Sequence, residues 1–124
     1  MIVAVLAVFV CGALGAVARY KIAGFIQNHT HGVMPVGTLT INVIGSLILG
    51  TLIGLNIRHG LPDTIVLAAG TGFCGGFTTF SSLMYESVQL AHEGTYLQAV
   101  QILLLNIILG GFAAAIGLAA TSAL

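Results

Sequence analysis

Long apolar runs alternate with short polar punctuation along this chain. Four nearly charge-free stretches are each long enough for a helix to cross a bilayer, which takes about 20 residues. The first covers residues 1–18 and extends past Arg19 to residue 26. The second covers 33–57, the third 64–85 with a continuation to 91, and the fourth 95–122. Between them lie "QNHTHG", "RHGLPD" and "HEG", where Asn28, Gly32, Gly60, Pro62 and Gly94 are turn or helix-end residues. The pattern predicts an all-α membrane protein. Residues 1–124 form a single four-helix transmembrane domain with short loops and no water-soluble part.

The third run is interrupted near its middle by "GFCGGFTTFSS", residues 72–82. Gly75 and Gly76 discourage a helix, and Thr78 or Thr79 suits the N-cap of a new one. A span broken at mid-membrane follows. Such a break frees carbonyls on one side and N–H groups on the other. It survives only where protein buries it or a cavity adjoins it. Free carbonyls suit a cation and a helix N-terminus suits an anion. The alternative is a glycine kink satisfied by a neighbouring helix.

Other polar groups inside the runs are few. Thr38, Thr40, Ser46 and Thr51 can bond to their own helix backbone. Asn42 and Asn106, near the middles of the second and fourth runs, cannot fully do so. They either bond helix to helix or line a path for a polar solute. Gly50-x-x-x-Gly54 and Gly72-x-x-x-Gly76 allow helices to approach closely.

Composition agrees with the pattern: 58% of the 124 residues are hydrophobic and 5% charged, against about 25% charged in soluble domains. No basic patch exists to meet the phosphates of nucleic acid. Cys11 and Cys74 read as small buried hydrophobes, and His29-x-His31 as a solvated loop rather than a metal site. Ala16-Val17-Ala18 resembles a signal cleavage site, but no Lys or Arg precedes the first run, which argues against cleavage. Arg19 and Lys21 fall on one side of the membrane and Arg58 on the other. Orientation follows Lys/Arg bias, so this small difference predicts insertion both ways up and an antiparallel pair of copies.

Three motifs, "GALGAVARY" (12–20), "GTLTINVIGSLILG" (37–50) and "GFCGGFTTFSS" (72–82), make the chain similar to the small bacterial fluoride channels of the Fluc or CrcB family. The resemblance covers essentially the whole chain. It implies an antiparallel, dual-topology homodimer in the bacterial inner membrane, with two pores that export cytoplasmic fluoride passively and reduce its toxicity. It further implies a structural Na+ at the dimer centre, held by the backbone carbonyls of Gly75 and Thr78. By the same resemblance Asn42 and Phe80 line the fluoride pore, Arg19 lies at a vestibule, and Glu86 matches an acidic residue of the third helix. Leu83 stands where the family places a second pore phenylalanine, leaving Phe77 or Tyr85 as other aromatic candidates. On the fourth helix the series Ile102, Asn106, Gly110, Ala114 leaves Asn106 to carry a polar track.

Fluoride is small and strongly hydrated, so donors must replace its water. Asn42 offers an amide, Thr79 and Ser81 offer hydroxyls and helix-start N–H groups, and Phe80 offers a weakly positive ring edge. No nucleotide loop or carboxylate relay is visible, so neither an enzyme nor an active pump is expected. The rival reading is a small dual-topology multidrug exporter. That function needs a membrane-embedded carboxylate for proton coupling, and the first two runs contain no Asp or Glu.

Overall fold

The computed structural model describes residues 1–122, and every regular element among them is helical. Helix α1 spans Ile2–His29 and α2 spans Val36–His59. The third crossing has two arms. A helical turn at Asp63–Val66 runs into a π-helical segment, Leu67–Cys74, and a last α turn, Gly75–Phe77. This composite arm, residues 63–77, is α3. The second arm, α4, is Phe80–His92, and α5 is Tyr96–Ser122. Four crossings, Ile2–His29, Val36–His59, Asp63–His92 and Tyr96–Thr121, are long and apolar enough to span a bilayer. The chain is a multi-pass membrane protein.

The connections end where turn chemistry requires. Gly60 closes α2 in the left-handed region at φ 60°, and its N–H donates to Asn56 O at 2.9 Å. Gly94, at φ 81°, turns the chain from α4 into α5.

Packing pairs α2 with α5 and α1 with α3, while α4 lies against α5. Glycines set both of the longer contacts. A methyl group at Gly15 or Gly76 would collide with the backbone of Phe73 or Gly12 respectively, so α1 and α3 touch main chain to main chain. A methyl at Gly50 would strike the backbone of Ala114 across the α2–α5 seam. These are the close approaches that small residues permit in membranes. Side chains fill the other seam: Leu83 and Leu90 of α4 meet Ala99 and Ile102 of α5, with Met34 and Leu39 packed against them. Val3, Phe9, Leu14 and Phe112 remain exposed on the outside of the chain.

The break lies two residues beyond the glycine pair. Gly75 has helical dihedrals, φ −63° and ψ −38°, and the helix continues through Phe77. Thr78 and Thr79 are extended, with φ −79°, ψ 160° and φ −148°, ψ 124°. The reason is packing: Gly76 is small because Gly12 lies against it, not because the backbone turns there.

Candidate functional site

The polar groups at mid-membrane gather around the two extended threonines. Thr79 caps α4: its Oγ1 accepts the Ser82 N–H at 3.1 Å. The same hydroxyl donates to Ser82 Oγ at 3.1 Å and lies 3.3 Å from Ser81 Oγ. Three hydroxyls thus cluster on the first turn of α4, where unpaired N–H groups make the field positive.

Asn42 reaches this break from α2 and acts there like a strand partner. Its Oδ1 accepts the Thr79 N–H at 2.8 Å, and its Nδ2 donates to Thr79 O at 3.0 Å. The second Nδ2 proton goes to Asn106 Oδ1 at 2.9 Å. Asn106, only 8% exposed, donates in turn to Ile102 O at 2.9 Å. Both donors of Asn42 are thus engaged by the break and by Asn106. In an unbroken helix the Thr79 N–H would bond to Gly75 O. Diverting it to Asn42 takes that donor away from the Gly75 carbonyl.

The Thr78 side chain folds back on its own arm, donating to Cys74 O at 2.9 Å. Its carbonyl accepts from Arg19 Nη1 at 3.3 Å. Nothing in the spacing of the motifs pointed to this contact. Glu86, one turn beyond the hydroxyls on α4, accepts the Thr38 hydroxyl on Oε1 at 2.7 Å. Its Oε2 is buried without a hydrogen-bond partner among the described residues. A half-buried carboxylate needs a donor, and Thr38 was one of four helical hydroxyls available on α2.

Two cavities meet at the break. The larger, about 750 Å³, is lined by Arg19, Gln27, Thr38, Ser81, Ser82 and Glu86 among others. The smaller, about 420 Å³, is lined by Asn42, Ser46, Thr78, Phe80, Leu83 and Asn106 among others. Thr79 is a wall of both. The aromatic candidates separate clearly. Phe80 is 73% exposed and stands off the bundle, while Leu83 beside the same cavity is 6% exposed and belongs to the core. Phe77 is buried and stacked on Phe73, with centroids 5.5 Å apart, and Tyr85 lies on the exposed surface.

The family model described as "CrcB-like protein, Camphor Resistance (CrcB)" matches residues 6–118. The chain belongs to the CrcB family. Its relatives include proteins named "Fluoride-specific ion channel FluC". That of Syntrophotalea carbinolica is 41% identical over 108 residues, covering 86% of this chain and 88% of the relative. That of Gloeothece citriformis is 37% identical over 114 residues, covering 92% and 93%. One from Leifsonia xyli, named "Fluoride-specific ion channel FluC 1", is 46% identical over 96 residues, covering 77% and 70%. The CrcB match runs through α1, the break and α5 alike.

Proposed function

We propose that this CrcB protein is a fluoride channel, passing the anion down its gradient through the cavities that meet at Thr79. The carrying observation is the break itself. It sets a helix N-terminus and three hydroxyls at mid-membrane, between two cavities. A dehydrating anion meets N–H and O–H donors there. Arg19, the basic side chain beside the larger cavity, is turned to the Thr78 carbonyl. The relatives' names supply the choice of anion. A proton-coupled exporter is disfavoured, because α1 and α2 carry no Asp or Glu to relay a proton across the bundle.

The working unit is an antiparallel homodimer. Gly75, Phe80 and Ser81 are exposed on the side of the bundle at the break. They flank the extended Thr78 and Thr79, and irregular backbone at membrane depth must be buried in protein or adjoin a cavity, so a second copy in the opposite orientation completes that cover. A Na+ between the copies suits the donor set: the Gly75 carbonyl has lost its helical partner, and the Thr78 carbonyl keeps one lone pair beyond its Arg19 contact. Phe80, exposed in one copy, then faces the partner's cavity, and Leu83 serves as packing beside it.

Efflux from proteoliposomes tests the reading. Fluoride-loaded vesicles should empty within the assay, and chloride-loaded ones should not. Retention of fluoride would overturn it.

A further inference from the structure

One face of α1 runs along the larger cavity. Arg19, Ala23 and Gln27 recur at intervals of four residues, and all three border it. Arg19 lies at the inner end, bonded to the Thr78 carbonyl at the break. Gln27 lies eight residues further out, about 12 Å along the helix axis, and close to the end of α1 at His29.

The α2 backbone fixes the Gln27 side chain. The two helices meet at Gly37, where a methyl group would collide with the Ala23 carbonyl. One turn beyond Ala23, Gln27 accepts the Gly37 N–H on Oε1 at 3.2 Å. Pro35, the N-cap of α2, makes no side-chain capping bond, so Gln27 caps that helix from its neighbour. The bond also fixes which way the amide faces, because an N–H can meet only its oxygen. A side-chain amide has two N–H donors besides, and those of Gln27 make no hydrogen bond among the described residues. The same cavity receives Glu86, Gln89 and Glu93 from α4 and its C-cap. Gln89 Nε2 donates to Glu93 Oε1 at 3.3 Å. An anion arriving at this end therefore meets carboxylates from α4 and neutral donors from Gln27.

We propose that Gln27 is an entry residue for the anion. Held by the α2 main chain, it presents amide N–H groups to fluoride at the outer end of the larger cavity, and so sets the concentration at which flux saturates. This assignment rests on the channel reading. A neutral donor suits the place: it favours entry without holding the ion so tightly that it cannot move inward.

The experiment measures fluoride efflux from proteoliposomes over a range of internal fluoride concentrations, with thermal melting, for the parent, Gln27→Glu, Gln27→Met and Asn28→Met. Glu keeps the oxygen that caps Gly37 and loses the N–H groups. Melting should stay at the parent value while half-saturating fluoride rises about threefold to tenfold, the scale of one net hydrogen bond. The new charge also repels fluoride, so the series is repeated at high ionic strength, which screens that part and should leave most of the shift. Met removes the donors without adding charge. It should raise half-saturation by a similar factor and lower melting through the lost cap. Asn28 is exposed and does not border the cavity, so its variant should match the parent. Parent-like half-saturation in the Glu variant, or a shift abolished by salt, overturns the assignment while leaving the channel intact. A Met variant that loses maximal flux alone would make Gln27 a structural cap and nothing more. Should Met fail to fold, Glu at high salt decides. Absence of efflux from the parent would sink the channel reading and this assignment together.

Discussion

Thr79 concentrates several jobs in one residue. It caps α4, bonds both backbone groups to Asn42, and forms a wall of both cavities. Replacing it by alanine should cost about 1 kcal/mol of stability through the lost cap, and Thr79→Ser should restore most of that. Denaturant titration of the detergent-solubilised protein would measure the difference. Equal stability of the two variants would show that the cap contributes nothing. Gly75 gives a contrasting test. It is helical, and a methyl group there would meet nothing in its own chain within 4 Å. Gly75→Ala should therefore leave the subunit folded and weaken only the dimer proposed above. Cross-linking yield against helicity separates those outcomes, and an undisturbed dimer would show that Gly75 does not face the partner.

Helices and their ends were the legible part of the sequence, because apolar run length and turn residues report directly on them. The Thr79 cap was readable for the same reason: a hydroxyl before a helix has a specific use. The glycine pair misled about where the chain breaks. A glycine needed for close approach and a glycine needed for an unusual dihedral look identical in a sequence. The π-helical run Leu67–Cys74 was likewise hidden, since an all-apolar segment carries no periodic mark of its hydrogen-bond register. Asn42 and Asn106 were found as buried amides, but which donors they keep depends on a contact 64 residues apart. At this scale Gly76→Ala is the sharp test. The added methyl collides with the Gly12 carbonyl, and overpacking of this kind costs about 1–3 kcal/mol. Folded yield should drop well below that of Gly111→Ala, whose methyl meets nothing within 4 Å. Similar yields would mean that α1 and α3 can slide apart.

For the whole molecule, the near balance of Arg19 and Lys21 against Arg58 invites control of orientation. His92→Lys with Tyr96→Lys adds charge to one side, and His59→Lys with Asp63→Lys adds it to the other. These four positions are exposed. Each double variant alone should insert mainly one way and lose efflux, for want of an opposed partner. Co-expressing the two should bring efflux back. Full efflux from either one alone would show that parallel pairs or single subunits conduct.

The main-chain contact between α1 and α3 bears on how such a protein tolerates change. At Gly15 and Gly76 the spacing of the two crossings is recorded by backbone atoms. Apolar side chains on the outer faces therefore take no part in setting where the break sits. A lineage can exchange Val3, Phe9, Leu14 or Phe112 for other greasy residues, as lipid composition or growth temperature shifts, without retuning permeation. The same lineage has almost no latitude at the few positions where a side chain is missing. Random mutagenesis under fluoride selection should leave survivors crowded on the lipid face and nearly absent from those glycines.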